Sequence, residues 1–285
     1  RSEDTIECIN SIITNNLFVT PPIFIVIENG STDNSYLALQ HTYEDKKNII
    51  IKRTHQNLGF AGGYNLGIEM AINENVKWVF LLNNDTVIEE NAINYLFNPD
   101  FDIVIPKILV YSQKQLIWSA GAKWKRFPPR VVISGYLQKE SNQYNQQKII
   151  KYATGCAIMI TKEALLKLGK FDEEYLSYFE DYDFFFRASQ LNLRTLYQPQ
   201  SIIYHKVSKT LGENSKKKWF FLGRNSVLFY LKNNRFSFFH WLSYFLWVVI
   251  RDVLKGNFRL LPSFFQGVID GINQVYFHKQ IFNND

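Results

Sequence analysis

The sequence predicts an α/β fold, a mostly parallel sheet flanked by helices, followed by a helical C-terminal extension. Three observations carry this. Apolar, β-branched runs alternate with helix-forming stretches from Ile23 to Leu82. The chain has 285 residues, 46% of them hydrophobic, with only 14 Gly and 8 Pro, which suits one large core or a body with an appendage. The character of the chain then changes at His205. Residues 206–285 hold 12 Lys and Arg against 4 Asp and Glu, a net +8, whereas residues 1–205 hold 20 against 22, a net −2. The excess positive charge sits in the tail, which suits an anionic partner there and not on the body. Cys8 and Cys156 lie far apart with no CxxC pair. This excludes a disulfide framework and a thiolate zinc site, and points to a reducing compartment.

The elements follow in order. Glu3 and Asp4 stand before Ile6, Ile9 and Ile13, an acidic first turn and an apolar face, so the chain opens in a helix and not in a signal peptide. After Pro21-Pro22, Ile23-Phe24-Ile25-Val26-Ile27 reads as a buried strand closed by Asn29-Gly30-Ser31. Asp33 to Tyr43 reads as a helix and Ile49-Ile50-Ile51 as a second strand. Ala61 to Ile72 is a helix that turns Leu66, Met70 and Ala71 to a sheet, and Trp78 to Leu82 is a third strand. Such βαβ units bind ligands beyond the carboxyl ends of their strands. Between Asp100 and Lys151 the pattern weakens. Trp118, Trp124, Phe127-Pro128-Pro129-Arg130 and Tyr136 predict an irregular, aromatic-rich insertion whose rings suit a core and stacking on sugars equally well.

Polar strings fall at the strand ends: Glu28-Asn29-Gly30-Ser31-Thr32-Asp33, then Asn57-Leu58-Gly59-Phe60-Ala61-Gly62-Gly63-Tyr64-Asn65, then Asn83-Asn84-Asp85-Thr86. Singly, each is what a capped turn or a tight helix start looks like. At one end of one sheet they line one crevice, and together they point to a nucleotide site. Further on, Glu180-Asp181-Tyr182-Asp183 sets carboxylates side by side at the start of a helix. Like charges so close raise at least one pKa, as a base working near neutrality requires. Asp183 stands one helical turn from Arg187, and an ion pair is its better reading.

With Thr154-Gly155-Cys156-Ala157 and His205 added, these strings in this order resemble a family 2 inverting glycosyltransferase of the GT-A fold, in particular its bacterial rhamnosyltransferase-like members. The resemblance covers nearly the whole chain. It implies transfer of a hexose or deoxyhexose such as rhamnose, with inversion, from a dTDP- or UDP-linked donor to a glycan or lipid-linked acceptor in cell-surface polysaccharide synthesis. It also implies a divalent cation, Mg2+ or Mn2+. Members of that family begin with an Ile/Val-rich strand that here would precede Arg1, so the domain over residues 1–205 is expected to lack its first strand.

The resemblance also implies roles. Glu28, where the family has Asp, would accept hydrogen bonds from the base. The expected donor-binding set is Glu28, Asn29, Ser31, Asn57, Gly59, Gly62, Asn65, Asn83 and Asn84. The helix following Asn57 would offer its N-terminal N–H groups to the diphosphate. Where the family has Asp-x-Asp this chain has Asn83-Asn84-Asp85. Asp85 is thus the expected metal ligand, His205 the second, and Asn83 lies nearer the ribose or a metal-bound water. Asp181 would be the base and Glu180 its neighbour in recognition. Gly155 and Cys156 would form part of the acceptor-side wall, and Cys156 is no nucleophile, since displacement needs no covalent intermediate. The alternative is a non-catalytic nucleotide-sugar binder with a degenerate site.

Residues 206–285 predict a basic, aromatic-rich helical extension. Lys216-Lys217-Lys218-Trp219-Phe220-Phe221 leads into Arg224-Asn225, and Phe236 to Ile250 is apolar but short for a span. Lysines beside Trp, Tyr and Phe suit an anionic membrane surface, with the protein cytoplasmic and peripheral on the inner face of the cell membrane. Core packing explains Trp241 to Ile250 equally well. No RNP string, zinc finger or helix-turn-helix signature supports a nucleic-acid partner.

Overall fold

The computed structural model describes residues 2–207, 215–233 and 235–282, with side chains of the last helix through Tyr276. The first half contains α1 (Ser2–Asn15), β1 (Phe24–Glu28), α2 (Ser35–Tyr43), β2 (Ile49–Arg53), α3 (Gly59–Asn73) and β3 (Trp78–Leu82). Each element read from this stretch is present. Then come β4 (Thr86–Ile88), β5 (Ile103–Val110), β6 (Gln113–Ser119), β7 (Ala122–Arg126), β8 (Pro129–Ile133), β9 (Lys148–Ile150) and β10 (Ala157–Thr161). The chain continues with α4 (Lys162–Leu168), α5 (Glu180–Gln190), β11 (Thr195–His205), α6 (Lys216–Lys232), α7 (Phe238–Leu254) and α8 (Leu261–Phe282).

The main sheet has the order β3-β10-β5-β11-β4, with β6 on β5 and β9 on β11. β5 and β11 run parallel, while β10 runs against both β3 and β5, so β3, β5 and β11 share one direction. β1 and β2 pair in parallel, Phe24 opposite Ile49 through Glu28 opposite Arg53, as a separate two-stranded sheet. With a neighbour on one edge only, β1 is half-buried along its length, not the buried strand expected, and only Glu28 is enclosed.

The stretch expected to be irregular contains β5, whose eight residues are all buried. Pro106 and Lys107 in its middle conceal it, because a proline argues against a central strand and a lysine against a core. Pro106 stands beside the register shift between Gln198 and Ile202 of β11, and the Lys107 ammonium reaches Glu140 and, at 2.7 Å, Asn145 Oδ1. Among the aromatics of this stretch, Trp124 packs on Tyr152, Phe229 and Phe236 in the core. α1 is rotated from the face expected. Ile13 is exposed, and Cys8 and Ile12 are buried with Ile9, because Ser11 Oγ accepts the Ile88 N–H at 3.0 Å and Cys8 meets Thr86.

The division at residue 205 is one of charge and not of core. Val227, Phe229, Trp241, Tyr244 and Phe264 share one apolar cluster with Ala61, Ile103 and Ile158. Trp219, expected at a membrane surface, is buried in it, and of the two readings open for Trp241 and Tyr244 the core is the one observed. α6 and α8 touch backbone to backbone: a Cβ on Gly267 would lie 2.0 Å from the Phe220 carbonyl oxygen, and one on Gly223 2.1 Å from that of Phe264. Among the described residues no helix is long and apolar enough to cross a membrane.

Candidate active site

The strand-end strings form one connected group. Glu28 closes β1 with its carboxylate buried: Oε1 accepts the Ser31 N–H at 2.7 Å and Oε2 faces the Arg53 guanidinium at 3.3 Å. Oε2 is buried and, apart from this ion pair, accepts no hydrogen bond in the protein. Asn29 is committed to the second string, donating to the Gly59 carbonyl at 2.8 Å and accepting the Leu58 N–H at 2.9 Å. It therefore fixes that string and does not present its amide to a donor.

The second string is helix from Gly59 onward, so Gly62, Gly63 and Asn65 lie inside α3 and not in a loop. Its first two N–H groups are occupied: Gly59 donates to Asn57 Oδ1 at 2.8 Å and Phe60 to the Leu176 carbonyl at 2.8 Å. Gly59 and Phe60 therefore do not offer their N–H groups to a diphosphate, as the resemblance had implied for this helix start. Asn65 is corrected too. Buried at 2% exposure, its amide bonds Phe171 N and O and Glu173, holding α3 to the segment before α5.

Asn83 follows β3. Its N–H donates to the Cys156 carbonyl, and its Oδ1 accepts the Tyr64 hydroxyl at 2.8 Å. The tyrosine proton is secure, because burial raises the Tyr64 pKa well above its ordinary value. With Oδ1 engaged, Asn83 has its NH2 left to offer, a donor that suits ribose or phosphate oxygens and not a cation. Asn84 turns away and donates to Thr5 Oγ1 at 2.9 Å. Tyr64 was missed in the sequence; its spacing of one helical turn from Phe60 is the signal that could have found it, and the two rings pack 4.5 Å apart.

Asp85 and His205 meet across β4 and the end of β11, His205 Nε2 lying 3.2 Å from Asp85 Oδ1, and both residues are buried. His205 Nδ1 is buried with no partner in the protein, and the ring packs on Trp118 with centroids 5.0 Å apart. One carboxylate and one imidazole fit a divalent cation that takes its remaining ligands from donor phosphates and water. Among the described residues no group of three or more potential ligands exists, so these residues alone build no closed metal cage.

Gly155 and Cys156 bridge this group to α5. The Gly155 N–H donates to Asp181 Oδ2 at 3.2 Å, and a Cβ there would meet the Phe60 ring at 3.2 Å and Asp181 Cβ at 3.4 Å. Cys156 is buried, and burial with the nearby Asp85 charge holds its thiol protonated, so it is inert as a nucleophile. Asp181 Oδ1 accepts the Tyr182 N–H at 2.8 Å, and the residue's own N–H also faces the carboxylate. Burial pushes the Asp181 carboxyl up to about 6, against the pull of those amides. Glu180 is more deeply buried, with an unpartnered Oε2, and burial followed by the Asp181 charge holds it well above the carboxylate range. Of the two, Asp181 carries charge near neutrality. Asp183 pairs with Arg187 Nε at 2.7 Å, as its spacing predicts.

α5 is preceded by a strained turn. Leu176, Tyr178 and Phe179 have φ of 59°, 68° and 73°. Non-glycine residues in that region cost about 1–3 kcal/mol each and cluster where function holds them.

The fold is GT-A. Superposition on GalNAc-T7, solved with UDP, GalNAc and Mn2+, gives a TM-score of 0.57 at 14% identity, over 71% of this chain and 40% of that one. The mannosyltransferase PcManGT from Pyrobaculum calidifontis, in complex with GDP-Man and Mn2+, gives 0.54 at 14% identity, over 95% and 72%. A sequence relative, the low-salt glycan biosynthesis hexosyltransferase Agl10 of Haloferax volcanii, is 25% identical over 263 residues, 87% of this chain and 82% of its own. Fold and relatives define the class as glycosyltransferase. The sequence profile of glycosyl transferase family 2 matches residues 1–169, and the chain belongs to that family.

Proposed function

We propose that this glycosyltransferase moves a hexose or a deoxyhexose such as rhamnose, with inversion, from a dTDP- or UDP-linked donor to a lipid-linked glycan acceptor in glycan biosynthesis. The observation that carries the reading is Asp181. It is a carboxylate raised to about 6, next to the wall formed by Gly155. In one displacement the acceptor hydroxyl oxygen bonds to the anomeric carbon, the bond from that carbon to the diphosphate breaks, and the hydroxyl proton passes to Asp181. Glu28 receives the base and Asn83, oriented by Tyr64, donates to the ribose or diphosphate. A divalent cation on Asp85 and His205 would neutralise the leaving diphosphate. The sugar relatives named above act on hexoses or were solved with nucleotides, which supports the donor class.

The reading extends to a membrane surface on the inner face of the cell membrane, but not through the aromatic run first expected. α7 turns Trp241, Tyr244 and Val248 inward, and its opposite face exposes Phe239, Leu246, Ile250, Val253 and Leu254, the last at 81%. Phe265, whose ring lies 5.9 Å from Phe245 of α7, extends this face onto α8, where Ile269 and Tyr276 are also exposed. Between Lys216 and Tyr276 the sequence holds nine Lys and Arg against Asp252 and Asp270, and both acids are paired with arginines. An exposed apolar face on a segment of net positive charge is what an anionic bilayer takes up.

The test is transfer from a panel of dTDP- and UDP-sugars with Mn2+, followed by NMR assignment of the product's anomeric configuration. Inverted product supports the reading; retained configuration, or no transfer from any donor, sinks it.

A further inference from the structure

The turn that launches α5 is held from outside the body. Asn225, on α6, is fully buried, and the two protons of its Nδ2 are shared among the carbonyls of Tyr175 at 2.8 Å, Ser177 at 2.8 Å and Tyr178 at 2.7 Å. Those carbonyls belong to the segment in which Leu176, Tyr178 and Phe179 take positive φ. Strained backbone of this kind persists only where its surroundings over-determine it, and here one side chain gathers three of its acceptors.

The side chain is itself fixed. Asn225 Oδ1 accepts Arg224 Nη1 at 2.8 Å, which settles which end of the amide faces the turn. Arg224 Nη1 also donates to the Glu174 carbonyl at 2.6 Å, its Nε to Asp270 at 3.1 Å and its Nη2 to Gln274 at 2.5 Å. Asp270 and Gln274 stand on α8, and Gly271 admits α6 so closely that a Cβ would lie 2.6 Å from the Arg224 carbonyl oxygen. From the other side, the Phe60 N–H takes the Leu176 carbonyl, and a Cβ on Gly59 would meet that same oxygen at 2.7 Å. The turn is thus clamped between α3 and α6, and immediately after it Phe179 leads into Glu180 and Asp181.

We propose that Asn225 is a positioning residue for sugar transfer: its amide fastens the left-handed turn from which Asp181 projects toward Gly155. The proposal rests on Asp181 being the base. It gives the Arg224-Asn225 pair of the basic extension a task in the reaction, with no contact to substrate.

Asn225→Ala and the isosteric Asn225→Asp both remove the donors, the second while leaving an acceptor for Arg224. Each should lower kcat by roughly 10- to 100-fold, the scale of a misplaced catalytic group, with nucleotide affinity by calorimetry changed less than about threefold. Introduced into Asp181→Asn, either change should reduce transfer by less than about threefold further, because the group it positions is already lost. Should neither variant fold by circular dichroism, Arg224→Lys, which frees Asn225 Oδ1, carries the same cycle. An unchanged kcat, a loss that multiplies with that of Asp181→Asn, or a loss wholly in nucleotide affinity overturns the proposal. Wild-type transfer by Asp181→Asn alone overturns instead the base assignment beneath it.

Discussion

Replacing Asp181 by Asn should reduce activity and, at neutral pH, relieve the fold. Burial raises this carboxyl from 3.8 to about 6. A carboxyl raised on folding contributes most below its unfolded value, and stability falls as pH rises through the folded one, because the native state must then hold a charge that it solvates poorly. About two pH units correspond to about 3 kcal/mol, which partial exposure of the side chain reduces to about 1–2 kcal/mol. Asn carries no such charge, although it cannot accept from both Gly155 and Tyr182, a loss of about 1 kcal/mol at every pH. Denaturant titration of both proteins at pH 4.5 and 7.5 isolates the difference. The wild type should weaken by about 1 kcal/mol relative to the variant over that interval. In parallel, transfer by the wild type should fall about tenfold from pH 7 to 5 as the base protonates, and the variant should retain roughly one part in 10² to 10⁴ of the activity with nucleotide affinity intact. Parallel stability curves for the two proteins, or wild-type transfer by the variant, would refute the reasoning.

Further expectations concern the rest of the site and the extension. Asp85→Ala should abolish Mn2+-dependent binding of the nucleoside diphosphate and His205→Ala should weaken it; equal calorimetric affinity with and without Mn2+ would show the pair misread. Tyr64→Phe removes the hydroxyl that orients Asn83 and should lower donor affinity by about fivefold, near 1 kcal/mol, without moving the acid limb of the rate profile. Changing Leu246, Ile250 and Leu254 together to Gln should weaken flotation with anionic vesicles by roughly a hundredfold, at about 1 kcal/mol per side chain. Wild-type protein that binds no vesicle at low salt would instead remove the membrane reading.

The first half of the fold was legible because β1, β2 and β3 are short apolar runs set off by turn residues, and periodicity alone resolves them. β5 was not, since what admits Pro106 and Lys107 to a buried strand is a bulge in β11 and the side chains of Glu140 and Asn145, all distant in sequence. The site shows the same division. Glu28 and Asp85 stand in strings at strand ends, and the roles proposed for His205 and Asp181 come from the family resemblance, whereas Asn29 and Asn65 looked like ligand contacts but serve the protein's own backbone. A polar residue in a Gly-rich string has the same appearance in either role, and only its partners decide. In the extension the sequence left two readings open for Trp241 to Ile250. Its aromatics signalled an interface, yet the interface that buries Trp241 and Tyr244 is the one with the catalytic body.

The separation of β1 and β2 from the main ladder divides the proposed nucleotide site between two packing units. Ile9, Leu39, Tyr43 and Ile49 form a small apolar cluster of their own beneath this pair. A unit with one ladder and a modest cluster is a candidate for sub-global opening, with amide exchange faster than in the fully buried β5. Glu28 sits on that unit, while Asp85 and Asp181 sit on the other. A nucleotide that engages both would act as a latch, and at a hundred times its dissociation constant would slow exchange in β1 and β2 by about a hundredfold, some 2.7 kcal/mol. The donor would then complete the rigidity of the pocket that receives it, before any acceptor arrives.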